Sequence, residues 1–309
     1  MVPDHILCRA PSDPQISEHR FSSFVDQEKA LPKFDQIYRQ LTPGCFEGFV
    51  KSVDYGSLTL THEAMNQGLE QQVSVNNGTV AIGFVMGAGH MYDLGRNEVF
   101  NGQVAVLPGG HEHISYVAEK TEFVIASIAR EEVPDDMLTG RTLPAEVAKP
   151  VGAWIRGLIG MAGSASEAKG LTTMLPELVM DRLSLLFGYP ETRVLRNNHH
   201  DVVVLKRILE ACEELPAEEL TVSRLSRHLG MSRSDLRTAC LSTTGFRLDE
   251  MLTSRRLSDV YRCLREGRVG QVNVTQAALD HGFTHFGRFS AAYRQMFGER
   301  PSDTLRALP

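Results

Sequence analysis

The chain has 309 residues, of which 42% are apolar and 23% charged, with a formal net charge of −6. This composition is typical of a globular protein of two domains and excludes a disordered or fibrous chain. No stretch approaches the roughly 18 consecutive apolar residues that a membrane span needs, and the N-terminus lacks the apolar segment of a secretory signal. Five scattered cysteines without a CxxC pair exclude a disulfide scaffold and the common thiolate zinc sites. We therefore expect a cytoplasmic protein with no membrane partner.

The charge is divided unevenly along the chain. Residues 221–309 hold 14 basic and 8 acidic residues, a balance of +6, whereas residues 1–220 hold 18 and 30, a balance of −12. All 14 basic residues of the C-terminal part are arginine, whose planar guanidinium group suits phosphates and guanine edges. A GC-rich genome would also favour arginine, but it does not explain the charge asymmetry. The C-terminal part is therefore the candidate for a polyanionic partner.

The first predicted elements are short strands between about residues 21 and 133, separated by glycine-containing turns at intervals of about ten residues. The runs with strand character are YGSLTLTHEAM, EQQVSVNN, TVAIGFVM, GQVAVLPGG, ISYVAE and TEFVIASIA. This spacing predicts an antiparallel sandwich or a small barrel rather than a parallel sheet. Asn76-Asn77-Gly78 predicts a hairpin turn, because Asn and Gly tolerate positive φ angles.

Two amphipathic helices are predicted between residues 144 and 187, and Gly188-Tyr189-Pro190 ends the second one. We interpret its apolar stripe as a dimerisation surface or as a cover for the strands. The residues predicted for dimerisation are Leu175, Leu178, Val179, Leu183 and Leu186. The predicted domains are residues 1–190 (strands about 21–135, helices about 144–187), a linker at 191–200 and a helical domain at 201–309.

The helical domain contains an internal repeat. VSRLSRHLGMSRSDL, beginning at Val222, matches VTQAALDHGFTHFGRF, beginning at Val274, so that Gly230 corresponds to Gly282 and Ser232 to Thr284. Each unit is a short helix, a glycine turn and a second helix whose first residue is capped by Ser or Thr. This order is typical of a helix-turn-helix, and two tandem copies on an arginine-rich segment indicate DNA binding.

The second helix of each unit has an inward and an outward face. The inward residues are predicted to be Leu236, Ala239 and Cys240 in the first unit, and Phe286, Phe289, Tyr293 and Met296 in the second. The residues predicted to contact DNA are Ser232, Arg233, Ser234, Arg237 and Thr238 in the first unit, and Thr284, His285, Gly287, Arg288 and Ala291 in the second. About 6–8 arginines are expected to meet phosphates, whereas Arg255 or Arg256 is expected to pair with a carboxylate such as Asp259.

Residues 203–305 resemble the DNA-binding domain of AraC/XylS-type transcription regulators. The resemblance rests on LTVSRLSRHLGMSRSDLRTACLSTTG, on MLTSRRLSDVYRCL and on VTQAALDHGFTHFGRFSAAYRQMFGERPSDTLR. It implies that the two second helices enter successive major-groove segments and that a rigid helix near residues 248–264 joins the units. The chain departs from the family pattern at Cys240, where phenylalanine is usual, and at Leu248, where proline is common. Gly287 and Ala291 offer few hydrogen bonds, which favours phosphate or thymine-methyl contacts for the second unit.

The N-terminal strands resemble the cupin-like, effector-binding barrel that often precedes this DNA-binding domain. The predicted fold class is accordingly α+β and multidomain, a cupin-like β-barrel with a helical dimerisation element followed by an all-α double helix-turn-helix domain. His111, His113 and Glu119 imitate a cupin metal motif, with His90 nearby, but we predict no metal, no cofactor and no catalytic residue.

These patterns predict a cytoplasmic, homodimeric, sequence-specific transcription regulator that is not an enzyme. Its expected partners are promoter or operator DNA, RNA polymerase and an unidentified small-molecule effector. Two alternatives stay open at this point. One is a cupin-type metal enzyme fused to a DNA-targeting module, and the other is a ligand-independent dimeric regulator.

Overall fold

The computed structural model describes residues 14–94, 98–100, 104–135, 143, 145–163, 169–188, 199–267 and 272–307. Strands dominate the N-terminal part and helices the C-terminal part, which confirms the predicted α+β class. In the described ranges, every helix is too short or too polar to span a membrane.

Along strands that have one face toward the protein interior, buried and more exposed residues alternate. Their bounds are β1 Gln15–Phe21, β2 Phe34–Gln40, β3 Gly48–Asp54, β4 Leu58–Met65, β5 Leu69–Val75, β6 Thr79–Gly87, β7 Met91–Asp93, β8 Glu98–Phe100, β9 Val104–Pro108, β10 Glu112–Val117 and β11 Thr121–Ala129. The helices are α1 Phe24–Gln27, α2 Ala145–Met161, α3 Lys169–Phe187, α4 His199–Glu214, α5 Val222–Leu229, α6 Arg233–Thr244, α7 Leu248–Glu266, α8 Val274–Asp280, α9 Phe286–Phe297 and α10 Pro301–Arg306. Thus the first strand lies upstream of the predicted start of the strands, and α4 begins just before residue 201.

The described strands form two antiparallel sheets and not one closed barrel. A six-stranded sheet has the order β1-β3-β4-β11-β6-β9, and a five-stranded sheet has the order β2-β5-β10-β7-β8. Side chains from both sheets meet in one core, for example Tyr38, Val75, Val85 and Val117. The barrel prediction is therefore corrected to a sandwich, the other architecture that the strand spacing allowed.

The turn at Asn76-Asn77-Gly78 connects the two sheets. Gly78 has the expected positive φ of 77°, but β5 pairs with β2 and β10, whereas β6 pairs with β9 and β11. The hairpin prediction is therefore wrong. A turn sequence fixes the local backbone, and the burial of both strands decides which neighbours they pair with.

Helices α2 and α3 cover the outer face of the six-stranded sheet. Val179, Leu183 and Leu186 of α3 join a buried cluster with α2 and with strands β4, β6, β9 and β11. Of the five residues predicted for dimerisation, these three therefore pack within the chain, Leu175 is half-buried and only Leu178, at 47%, is exposed. Burial within the chain agrees with the alternative that the stripe covers the strands, and three of the five residues predicted for dimerisation are not available at the surface.

Helix α7 joins the strand-rich part to the helical part. Its second half packs with the sheet core and with α9, where Tyr261 lies 4.9 Å from Phe24 and 4.8 Å from Phe297 between ring centroids. Its first half packs with α4, α5, α6 and the sheet residues Tyr92 and Tyr116. The two parts thus share continuous apolar cores on both sides of α7.

Ion pairs between largely buried side chains also join α7 to the five-stranded sheet. Glu70 of β5, whose side chain is 3% exposed, accepts from Arg255 of α7 at 2.5 Å and from Arg39 of β2 at 3.0 Å. Arg39 also donates to Asp259 at 2.8 Å, and Arg255 donates to Glu213 at 2.9 Å. Arg255 thus pairs with carboxylates as expected, but Asp259 is not one of them, because Arg39 of the sheet is its partner.

Three further pairs join α1 and its neighbouring residues to the C-terminal half of α7. Arg262 donates two hydrogen bonds to both oxygens of Glu28, which also accepts from the Tyr38 backbone nitrogen at 2.7 Å. Arg265 pairs with Asp26 at 2.7 Å, and Lys29 with Glu266 at 2.6 Å. Charge complementarity thus fixes the register of α7 against the sheet domain.

Arg255→Met should lower the free energy of unfolding by about 3 kcal/mol or more, because it leaves the buried Glu70 carboxylate only partly compensated. Urea denaturation followed by circular dichroism measures this. Arg306→Met removes an exposed pair with Asp303 and should cost no more than about 1 kcal/mol. Equal small losses in both variants would show that the Glu70 network does not stabilise the fold.

Candidate functional site

The first helix-turn-helix unit has the Ser232 cap that the sequence predicts and a further cap at Thr221. Thr221 caps α5 by accepting from the Arg224 nitrogen, and Ser232 caps α6 by accepting from the Asp235 nitrogen at 3.1 Å. Gly230 between the two helices has a φ of 65°, a conformation that glycine adopts without a steric penalty. The turn and both helix starts thus follow from three local residues.

Helix α6 has one buried and one exposed face. Leu236, Ala239 and Cys240 are at most 1% exposed and pack in the cluster with α4, α5 and α7, as predicted. Cys240 fits its position in spite of its small size, since its Sγ contacts the Phe246 carbonyl oxygen at 3.3 Å and Met251 Sδ at 3.7 Å. Burial raises the pKa of its thiol to about 12. The predicted DNA-contacting residues of this helix are all exposed: Arg233, Ser234, Arg237 and Thr238.

The second unit differs from the prediction at its recognition helix. His285 precedes α9 and makes no side-chain cap, so Thr284, which is exposed, is not the N-cap. Phe286, expected to face inward, is 43% exposed, whereas Phe289 and Tyr293 are buried. The second unit has one residue more than the first between its glycine and its second helix, so α9 begins at Phe286, four residues after Gly282. The later inward residues, Tyr293 and Met296 among them, are buried as predicted.

The turn of the second unit requires glycine on two grounds. Gly282 has a φ of 80°, and a Cβ atom at this position would lie 2.7 Å from the backbone of Ala217. The turn therefore packs directly against the segment before α5, which holds the second unit against the first. After this turn the predicted contact residues are exposed: Thr284, His285, Gly287, Arg288 and Ala291.

Apart from Arg224, which is half-buried and pairs with Glu219 at 2.6 Å, the described arginines of residues 221–307 divide into two groups. Arg255, Arg262 and Arg265 pair with carboxylates of the sheet part, and Arg256 lies over the Phe283 ring with its Cζ 5.0 Å from the centroid. The exposed arginines in the described part of this region are Arg227, Arg233, Arg237, Arg247, Arg288, Arg294, Arg300 and Arg306. The exposed group is the one available to a polyanion.

The proposed cupin metal ligands do not form a cluster. His90, His111 and Glu119 are exposed, whereas the His113 side chain is half-buried with its Nδ1 atom 3.9 Å from Asp93. In the described ranges, no three His, Cys, Asp or Glu side chains lie close enough to hold a metal ion.

A cavity of about 60 Å³ lies between the two sheets. Its wall is mainly apolar, but the Glu63 carboxyl group also reaches it and accepts hydrogen bonds from Gln27 at 2.8 Å and from the Tyr38 hydroxyl at 2.9 Å. Burial raises the pKa of Glu63 to about 7, against the effect of these two donors. The cavity thus contains a carboxyl group that titrates near neutral pH.

Two comparisons with known proteins concern the helical part. Residues 225–307 match the family model described as a helix-turn-helix domain. The XylDLEGF operon transcriptional activator of Pseudomonas putida is 34% identical over 101 residues, which are 33% of this chain and 32% of that protein. Residues 225–307 form an AraC/XylS-type helix-turn-helix domain.

Other relatives match the AraC/XylS-type domain over a similar length. The probable thc operon regulatory protein of Rhodococcus erythropolis is 28% identical over 106 residues, 34% of this chain and 32% of that protein. The match thus spans about a third of the length of these two relatives.

Two solved structures are also similar. A probable AraC family regulator from Rhodopseudomonas palustris is 31% identical, with a TM-score of 0.31, and the match covers 35% of this chain and 99% of that one. The AraC-like transcriptional activator CuxR is 15% identical, with a TM-score of 0.46, over 81% of this chain and 96% of that one.

Sequence reasoning did not identify the partner of Arg237. Its guanidinium group donates to Asp249 of α7, at 2.9 Å from Nε and 3.3 Å from Nη2. The repeat comparison gave no signal for this pair, because Asp249 lies outside both helix-turn-helix units.

Stability should depend on pH through Glu63. Because its pKa is raised from 4.5 to about 7 in the folded protein, the folded state binds the proton more tightly than the unfolded state. The free energy of unfolding should therefore fall as pH rises from about 4.5 to about 7, by up to about 3 kcal/mol from this group. Glu63→Gln should flatten this fall in urea denaturation, whereas Glu131→Gln at an exposed site should leave it unchanged. A Glu63→Gln profile parallel to that of the wild type would contradict the assignment.

Proposed function

We propose that the chain is a sequence-specific DNA-binding transcription regulator. The observation that carries this proposal is the pair of helix-turn-helix units joined by α7, each with the predicted contact residues on its exposed face. The major groove admits an α-helix, and Arg, Ser and Thr at its exposed positions can bond base edges and phosphates. The names of the relatives in Pseudomonas putida, which are transcriptional activators, support the same role.

DNA binding by the full chain should depend steeply on salt. If 6–8 of the exposed arginines meet phosphates, log K should fall with log salt at a slope of about −5 to −7. Fluorescence anisotropy with a labelled duplex at several salt concentrations measures the slope. Arg233→Gln and Arg288→Gln should each make it shallower by about one contact.

Lys149→Gln serves as the control, because it removes one exposed positive charge from α2, outside the helix-turn-helix units. It should leave the slope unchanged. A shallow slope for the wild type, or equal effects of all three variants, would mean that the arginine-bearing faces do not lie on the duplex.

We further propose that the chain forms a homodimer through the exposed side of α3. Met174, Leu178 and Leu185 are 66%, 47% and 66% exposed on this helix, while its other side packs within the chain. Two linked copies bind the second of two DNA sites at high effective concentration, so that dimerisation raises affinity without any new base contact. Apolar side chains at this exposure are also costly to leave in water.

Leu178→Glu combined with Leu185→Glu should give a folded monomer, since both side chains are exposed and only the proposed interface would bury their new charges. Analytical ultracentrifugation measures the mass, and circular dichroism checks the fold. Ile37→Glu, at an exposed apolar residue of β2, should leave the dimer intact. A double variant that stays dimeric would place the interface elsewhere.

A small-molecule effector of the proposed regulator would fit better between the strand-rich part and the helical part than between the two sheets. An opening of about 460 Å³ lies among the five-stranded sheet, α4 and α7, and its lining includes Gln72, Lys206, Glu210 and Arg255. Small-molecule sites usually have about 300–1,000 Å³, well above the volume of the inter-sheet cavity. The same proposal includes RNA polymerase as a partner and the cytoplasm as the location. It assigns no catalytic step to the chain.

A further inference from the structure

Arg237 and Asp249 connect the first recognition helix to the helix that joins the two units. Arg237 lies on the exposed face of α6, and Asp249 lies in the first turn of α7. The guanidinium group donates from Nε to Oδ2 at 2.9 Å and from Nη2 to Oδ1 at 3.3 Å, so that both carboxylate oxygens are used. The side chains are 52% and 55% exposed. The pair is thus a two-point contact on the candidate DNA-binding surface.

Both backbones that carry the pair are fixed by the core. On α6, Leu236 and Cys240 flank Arg237 and are fully buried, and on α7 the neighbouring Leu248 and Met251 are at most 1% exposed. The hydrogen bond from Arg237 lowers the pKa of Asp249 below its usual range. The pair therefore joins a long side chain of α6 to α7, and both helices are anchored by buried neighbours.

Among the exposed arginines in the described part of residues 221–307, Arg237 is distinguished by this geometry. Arg247 and Arg306 approach carboxylates three residues away at 3.6 and 3.7 Å, through one nitrogen each. Arg233 and Arg288 have no carboxylate within 4.0 Å among the described residues. A long side chain that is already ordered loses less conformational entropy when it binds.

The pair also selects which edge of the guanidinium group can meet a base. Arginine has one N–H at Nε and two at each terminal nitrogen. Asp249 occupies the edge formed by Nε and Nη2, which leaves the end formed by Nη1 and the outer hydrogen of Nη2. That end presents two parallel donors, the arrangement that matches the O6 and N7 acceptors of guanine.

The geometry points to Asp249 as a positioning residue that sets the base specificity of Arg237. In this role Asp249 holds Arg237 for end-on contact with one guanine. Its negative charge also disfavours a loose contact with a phosphate, so that binding to random sequence gains less from Arg237 than binding to the correct site does. This inference rests on the proposed function, since it requires that α6 meets DNA.

The test is a selection of duplexes from a randomised pool by the full-length wild type, by Asp249→Asn and by Arg237→Ala. The wild-type motif should contain one guanine whose enrichment is lost in Arg237→Ala. Asp249→Asn should lose the preference at the same position while it keeps the rest of the motif. Its ratio of Kd for random DNA to Kd for the selected duplex should fall by about fivefold or more, in the range of one bidentate base contact.

Two further variants separate positioning from charge and from folding. Glu250→Gln removes the next exposed carboxylate of α7, which does not contact Arg237, and should keep the guanine preference. Asp249→Glu retains a carboxylate and should restore much of it. The double variant Arg237→Ala with Asp249→Asn should lose no more at that position than Arg237→Ala alone. Circular dichroism and thermal melting confirm that each protein is folded.

The outcomes distinguish this inference from the proposed function. If the wild type enriches a motif and Asp249→Asn keeps both its guanine preference and its Kd ratio, Asp249 has no positioning role. If Glu250→Gln has the same effect as Asp249→Asn, the effect is one of net charge and the inference is wrong. If the wild type enriches no sequence, the proposed function fails and the inference fails with it.

Discussion

The contact of helix α7 with the five-stranded sheet determines how the rest of the molecule is arranged. Glu70 and Glu28 are acidic residues of the strand-rich part with 3% exposure, and each is compensated by an arginine of α7. Loss of the α7 arginine would leave Glu28 without its arginine and Glu70 with Arg39 alone, and a poorly compensated charge in the interior costs several kcal/mol. The helix therefore has one position on the sheet at which the charges match. Both helix-turn-helix units pack on the same helix, so their placement relative to the sheets follows from it.

The same contact explains the distribution of charge in the sequence. The strand-rich part is acidic and the helical part is basic, and the structure shows that some of this asymmetry is used inside the chain. Arg255, Arg262 and Arg265 neutralise carboxylates across the interface, whereas the exposed arginines lie on the helix-turn-helix units and their flanks. The number of arginines in the sequence therefore overestimates the positive charge available to DNA, because several of them form ion pairs within the fold.

The sequence was most informative where structure is local. Gly230 and Ser232 specify a turn and a cap through their own backbone and side-chain chemistry, and the structure has both. Alternating β-branched runs predicted the strands from β4 to β6 and from β9 to β11. Strand partners were not predictable, as the turn at residues 76–78 shows, because pairing depends on which faces are buried together.

Contacts between residues far apart in the sequence could not be predicted either. Arg255 and Glu70 are 185 residues apart, and nothing in either neighbourhood marks them as partners. Asp249 is only 12 residues from Arg237, yet it lies outside the repeat on which the site prediction was based. The repeat also misplaced the start of α9, because the second unit has one residue more before this helix, so that His285 and not Thr284 precedes it.

The length of α7 has a consequence for the DNA sequences that such a protein can share. Its 19 residues extend over about 28 Å, slightly less than the 34–36 Å of one turn of the duplex. Because both halves of α7 pack in buried cores, the helix holds the two units at a fixed separation. Each base pair inserted between two subsites would turn one of them by about a tenth of a revolution around the duplex axis, and a rigid helix does not follow this rotation. Under the proposed function, insertions or deletions between the two subsites should therefore weaken binding more than base substitutions within them.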